Sequence, residues 1–288
     1  MKRTWLAVTL AVGLVAATAV SGAVALGAPH APHTGKSTST AAAKKAVTLP
    51  PTTGYADYQL GGAYPVASDI TIVARDSTDR PAPGRYSICY INGFQTQPAD
   101  RSTWLKSRKS LVLHYKGKPV IDKNWPDELI VDTSTKTKRT KIAKIIGKTI
   151  TSCANRGFDA IEIDNLDSFT RSKKLLSVGN NRELAKLYAS AAHKAGLAIA
   201  QKNSAEYAKQ FKKQVKFDFA VAEECYRWNE CSSYTKAYGA RVIDIEYTDD
   251  LRGTFARACD DLGDSVRLML RDRDLVTPDS PDYVYEHC

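Results

Sequence analysis

The sequence reads as an α/β protein, a (β/α)8 TIM barrel in a single domain stapled by disulfides, and three observations carry that reading. From Lys136 onward, helix-like and strand-like segments alternate without a break, the order that builds parallel strands joined by crossover helices. Polar residues stand at the end of nearly every strand-like segment: Asp76, Asn92, Asp164, Lys202 with Asn203, Glu223, Glu246, and Arg271 with Asp272. An open sheet gathers its ligand groups at one switch point, whereas a barrel spreads them around one mouth. No glycine-rich phosphate fingerprint follows any strand, which weighs against a nucleotide fold.

The strand-like segments are 57–60, 70–74, 86–91, 111–114, 128–132, 160–164, 198–202, 217–222, 242–247 and 266–270, short runs rich in β-branched and aromatic residues. Helices are expected at 136–156, 181–195, 205–213, 232–238 and 254–262. In the first, Ile142, Ile145, Ile146, Thr149, Ile150 and Cys153 form an apolar stripe at helical spacing. Gly157 and Gly196 each follow a helix where a left-handed cap is favoured.

Before this core the chain changes character. Lys2 and Arg3 precede an apolar run from Trp5 to about Leu26, and Ala23-Val24-Ala25 has the small-x-small form of a cleavage site. Residues 1–28 therefore read as a signal peptide, with a retained membrane anchor as the alternative. Residues 29–53, made of Ala, Thr, Ser, Pro, His and Lys without hydrophobic period, read as a disordered linker. The barrel is expected over 54–288. A secreted, extracellular protein follows, with no stable membrane association after cleavage and a monomeric state.

The formal charge of +10 includes five cations before Gly54 and no acid there. No basic helix with aromatic interleaving accompanies it, so nucleic acid is not an expected partner. The six cysteines, Cys89, Cys153, Cys225, Cys231, Cys259 and Cys288, all lie in the core, and an even count behind an export signal favours disulfides. Spacing makes Cys225–Cys231 and Cys259–Cys288 plausible and leaves Cys89–Cys153. No C-x-x-C pair exists and His is scarce, so no metal site is expected.

Three acidic constellations could carry chemistry. In Glu162-x-Asp164-Asn165-x-x-Asp167, Glu162 and Asp164 project to one face of an apolar strand, where two carboxylates are expensive unless they act. Asp164 suits one of the two carboxylates of glycosidic cleavage; metal binding or capping of the next loop are the alternatives. At Ala222-Glu223-Glu224-Cys225, alternation does not decide which glutamate faces inward. At Glu246-Tyr247, Glu246 is a strand-end acid that could instead pair with Arg271 or Arg273, and Tyr247 could stack on a sugar ring. Lys202 and Asn203 add hydrogen-bonding groups, and Lys202 could also neutralise nearby carboxylates. No G-x-S-x-G elbow supports a serine hydrolase, and His193 reads as a packing or capping residue.

Together with Asp57-Tyr58-Gln59-Leu60-Gly61-Gly62-Ala63-Tyr64, Cys89-Tyr90-Ile91-Asn92-Gly93-Phe94-Gln95 and Ala200-Gln201-Lys202-Asn203, these segments give the core a resemblance to glycoside hydrolase family 114, the endo-α-1,4-polygalactosaminidase-like family. The resemblance implies a (β/α)8 barrel that hydrolyses α-1,4-linked galactosamine polymers internally with paired carboxylates and no cofactor. Carried over, those carboxylates are Asp164 as nucleophile or base and Glu223 as general acid. Glu162, Asp167, Lys202, Asn203, Glu246 and Tyr247 would bind an amino-sugar polysaccharide or tune the pair. The stretch 101–125 has fewer aromatics than a long sugar cleft would need, although Trp104 and Trp125 remain. A metal-dependent barrel hydrolase, such as a phosphodiesterase or deacetylase, and a non-catalytic polysaccharide-binding protein are the rival readings.

Overall fold

A computed structural model describes residues 46–288; the expected export signal and most of the linker lie outside the described residues. Eight parallel strands follow one another around the barrel in chain order: β1 Tyr55–Gln59, β2 Ile70–Asp76, β3 Tyr86–Asn92, β4 Ala160–Asp164, β5 Ala198–Lys202, β6 Phe219–Glu223, β7 Val242–Tyr247 and β8 Arg267–Arg271. A short ninth strand, β9 Tyr285–His287, pairs antiparallel with β8. The barrel is nearly closed. Where β8 comes back to β1, Arg271 spans the gap, donating to the Tyr58 carbonyl and to Asp57 Oδ1 at 3.2 Å.

Strand alternation divides the apolar residues into two sets. Ala56, Tyr58, Ile88, Ala200, Phe219, Val221 and Ile245 fill the barrel interior. Ile91, Ile161, Ile163 and Ile199 face outward against the helices. Gly93, just past β3, lies so close to Ile163 that an added Cβ would meet its Cγ2 at 2.5 Å.

Six α-helices are present among the described residues. α1 Arg101–Ser107 belongs to an excursion after β3, and α2 Lys136–Arg156 has the expected bounds. Thr135 caps α2 by accepting the Lys138 N–H, and Gly157 ends it at φ +94° in the left-handed region. α3 Val178–Lys194 starts before the expected 181 because Ser177 and Asn180 form a reciprocal capping box. α4 Ala208–Val215 follows a 3-10 turn over Ala205–Tyr207, and α5 Cys231–Tyr238 and α6 Phe255–Leu262 complete the set.

Two expected strands are corrected. Segments 111–114 and 128–132 are not barrel strands; they meet each other and the segment just past β3 through isolated antiparallel bridges, Val112↔Val131 and Gln95↔Ile130. Leu113, Val120 and Ile130 form a small separate core with Leu176. Their β-branched composition reflects burial beneath this excursion, which packs as a wall over the barrel mouth.

All three expected disulfides are present: Cys89–Cys153 joins β3 to α2, Cys225–Cys231 closes the loop after β6, and Cys259–Cys288 ties α6 to the C-terminus. Such bonds are characteristic of oxidising compartments. No described helix is long and apolar enough to cross a membrane.

Candidate active site

Lys202 is the centre of the mouth. Ala198 and Ala200 precede it on the inward face of β5, and these small residues leave room for a long side chain that is 1% exposed. Its Nζ lies 2.9 Å from Glu162 Oε1, 3.4 Å from Asp164 Oδ1 and 3.3 Å from Glu223 Oε2. It also donates to the Tyr58 hydroxyl at 3.1 Å, and that hydroxyl donates to Glu162 Oε1 at 2.7 Å. Burial alone would lower its pKa. The surrounding carboxylates outweigh that and hold its pKa well above the ordinary lysine value.

The three carboxylates differ in environment. Glu162 is fully buried beneath the ammonium, and burial pushes its pKa up. Asp164, one step nearer the mouth on the same face of β4, accepts the Tyr90 hydroxyl at 2.5 Å. Burial opposes its charge too, but the Lys202 ammonium and the Tyr90 and Asn165 hydrogen bonds prevail and keep it below the usual carboxylate range. Glu223 ends β6. It accepts the Tyr247 hydroxyl at 2.6 Å and the Asn203 side-chain amide at 3.2 Å. Asn203 also accepts the Glu223 backbone N–H at 2.9 Å, from a left-handed turn at φ +50° directly after β5.

Above these groups is a cavity of about 420 Å³, within the range of small-molecule sites. Asp164, Glu223, Lys202, Tyr58, Tyr90 and Tyr247 form its floor. The excursion after β3 supplies Asp122, Trp125 and Glu128 as one wall. Glu128 accepts amide hydrogens from Asn92 at 2.9 Å and Gln95 at 3.0 Å. Burial, with the Asp164 and Asp122 charges adding to it against those hydrogen bonds, pushes its carboxyl up to about 7.

The expected site residues separate into groups. Asp164, Glu223, Lys202, Asn203 and Tyr247 converge, and Glu162 supports them from below. Asp167 is on the rim, paired with Arg171 at 2.7 Å. Glu246 does not reach the mouth, which corrects its expected role. On the outward face of β7, it accepts the backbone N–H of Tyr226 at 2.9 Å and of Arg227 at 3.2 Å. Nor does it pair with Arg271 or Arg273; Arg273 binds Asp249 and Glu224 instead. Tyr247 is 3% exposed with Arg273 over its ring at 4.3 Å, so it offers the mouth a hydroxyl and not a stacking face. His193 contacts Asp218 at 2.8 Å, a structural pairing away from the mouth.

Sequence reasoning missed Tyr58, Tyr90 and Glu128 as members of the site. Tyr90 shares the inward face of β3 with Tyr86 and Ile88, so period-2 alternation carried to the strand end would have found it.

The family model of glycoside-hydrolase family GH114 matches residues 36–288. Among solved structures, Ega3 of Aspergillus fumigatus, crystallised with galactosamine, is similar with a TM-score of 0.65 and 21% identity, over 85% of this chain and 98% of that one. The glycoside hydrolase domain of PelA from Pseudomonas aeruginosa has a TM-score of 0.58 at 14% identity, over 80% of this chain and 97% of that one. At these identities the likeness establishes the fold. No curated protein matches the sequence.

Proposed function

The chain belongs to glycoside-hydrolase family GH114, and from that membership and the geometry of the mouth we propose a secreted endo-acting hydrolase of α-1,4-linked galactosamine polysaccharide, with Asp164 as nucleophile and Glu223 as general acid. The observation that carries this reading is the buried ammonium of Lys202 held between the two carboxylates. It favours the ionised form of Asp164, which the Tyr90 hydroxyl also steadies. Glu223, at the end of β6, would give a proton to the departing glycosidic oxygen.

The two oxygens that face Lys202 lie 3.4 and 3.3 Å from the same nitrogen, so they are at most about 6.7 Å apart. That limit is at the lower edge of the roughly 6.5–9.5 Å that inverting enzymes need for an intervening water. For this pair we propose double displacement. Asp164 attacks the anomeric carbon, Glu223 protonates the leaving oxygen, and a glycosyl ester forms on Asp164. Glu223, now a carboxylate, takes a proton from water as the water attacks the same carbon, which releases Asp164 with net retention.

A cationic polymer suits a cavity whose walls carry Asp76, Asp122, Glu128 and Asp167. Galactosamine in the similar Ega3 structure supports the same substrate class. The three disulfides support an extracellular location.

Reducing-end release from an α-1,4-galactosamine polymer by wild type, Asp164→Asn and Glu223→Gln tests the assignment. Wild type releases ends with or without a chelator, and each variant loses at least about a hundredfold in rate. Equal activity in all three overturns the pair. Activity abolished by the chelator would instead support a metal-dependent hydrolase.

A further inference from the structure

The cleft continues past the catalytic pair. A second cavity of about 520 Å³ adjoins the first and shares its wall at Trp125, Asn203, Glu223 and Tyr247. Asp164 lines only the first cavity, whereas Glu223 lines both. The proton donor thus faces the second cavity and the nucleophile does not, which puts the second cavity on the leaving-group side of the scissile bond.

One wall of that cavity is the loop 224–230 between β6 and α5, and the loop is fixed from several directions. Cys225–Cys231 closes it. Glu224 and Asn229 hold φ of +62° and +60°, a region uncommon for side chains other than glycine. From the outward face of β7, Asp244 accepts the Cys225 N–H at 3.0 Å and Glu246 accepts the Tyr226 N–H at 2.9 Å. What this scaffold holds out to solvent is Trp228, 57% exposed. The Arg227 guanidinium covers its ring at 4.8 Å and is itself tied to Asp250 at 2.9 Å. An aromatic ring left in water adds little to the fold. Fixed in place beforehand, it loses little entropy when a flat ligand stacks on it.

Glu206 and Glu230 line the same cavity, and neither has an ion-pair partner among the described residues. Glu224, by contrast, is taken by Arg273 at 2.7 Å. Burial and then the Glu206 charge push the Glu230 carboxyl up, a like-charge strain that a bound cation would relieve.

The geometry points to a leaving-group-side subsite for an amino-sugar residue, with Trp228 stacked on the pyranose ring and Glu206 and Glu230 binding its ammonium. This subsite rests on the glycosidase reading and on the roles given to Asp164 and Glu223. Calorimetric titration of α-1,4-galactosamine oligomers of increasing length into Asp164→Asn protein measures it without cleavage. Adding Trp228→Ala weakens binding of the longer oligomers about tenfold, and Trp228→Tyr restores most of the loss. Glu206→Gln with Glu230→Gln weakens free-amine oligomers more than N-acetylated ones. Thermal melting confirms that each variant is folded.

Unchanged affinity at every length in these variants overturns the subsite. If wild type cleaves no galactosamine oligomer but Asp164→Asn binds them with Trp228-dependent affinity, the hydrolysis reading falls and takes the leaving-group assignment with it, while Trp228 stands as a sugar-binding residue. No binding by folded Asp164→Asn protein at any length overturns both.

Discussion

At the scale of the residue, the mouth is a problem of buried charge solved by one lysine. Three carboxylates surround Lys202, and the deepest of them, Glu162, is held by the ammonium and by Tyr58. Removing one member of such a buried set leaves an uncompensated charge and costs about 3–5 kcal/mol, so Lys202 serves folding as well as chemistry. The Tyr90 hydroxyl acts more selectively. Its own pKa is raised well above the ordinary tyrosine value by burial and the Asp164 charge, so it remains a donor throughout the working range. Tyr90→Phe removes the 2.5 Å bond to Asp164 and lets that carboxyl's pKa rise. Because the depressed pKa belongs to the folded enzyme, Asp164 contributes stability above the usual carboxylate range, and that contribution is lost as pH falls through the lowered value. In the proposed mechanism Asp164 must be ionised to attack, so in Tyr90→Phe the acid limb of the kcat/KM profile moves up by about one pH unit. A profile that keeps its acid limb while falling in height would remove Asp164 from that limb.

At the scale of the element, what was legible in the sequence follows strand periodicity, and what was missed follows from its incomplete use. Glu162 and Asp164 are two apart on β4 and both point inward, as alternation requires. Glu246 and Tyr247 are adjacent on β7, so they could not both face the mouth, and it is Tyr247 that does. Which of Glu223 and Glu224 faces inward was undecidable because alanines occupy the other face of β6; the left-handed backbone at Glu224 turns it toward Arg273. The excursion carrying Glu128 was illegible because its β-branched segments imitate barrel strands. The outward acids of β7 have their own task. Burial first, and then each other's charge, raise Asp244 well above the ordinary range, while Glu246 is raised chiefly by burial. Such a pair titrates together, in steps that belong to both carboxyls. A raised carboxyl contributes stability below the ordinary carboxylate pKa and loses it as pH climbs through the folded value. Denaturant titration of wild type therefore shows stability declining toward alkaline pH, and Asp244→Asn flattens that decline. Glu246→Ala leaves the Tyr226 and Arg227 N–H groups without their acceptor and costs about 1–3 kcal/mol. A decline of equal slope in Asp244→Asn would place its cause elsewhere.

At the scale of the whole molecule, the sign of the net charge and the sign of the mouth disagree. α2 alone carries seven Lys and Arg residues and no acid, and Lys209, Lys212, Lys213, Lys216 and Lys236 extend the basic exterior along α4 and α5. These helices lie on the outside of the barrel, whereas Asp76, Asp122, Glu128, Asp164, Asp167 and Glu223 line the cavity at the strand ends. A cation such as the proposed substrate, approaching the mouth, meets the near field of the acids, because exposed charges farther than a Debye length, roughly 10 Å at 0.1 M salt, are largely screened. The two descriptions predict opposite salt effects. If net charge governed encounter, salt would relieve repulsion and raise kcat/KM on a galactosamine polymer. With the mouth in control, kcat/KM falls as salt rises, by about tenfold between dilute buffer and molar salt. Glu128 sharpens the test, since its carboxyl is pushed up to about 7 and is neutral below that value. The salt dependence is accordingly steeper above neutrality than below it in wild type, and Glu128→Gln makes the two slopes alike. A kcat/KM that rises with salt would transfer control of substrate capture from the acidic mouth to the basic exterior.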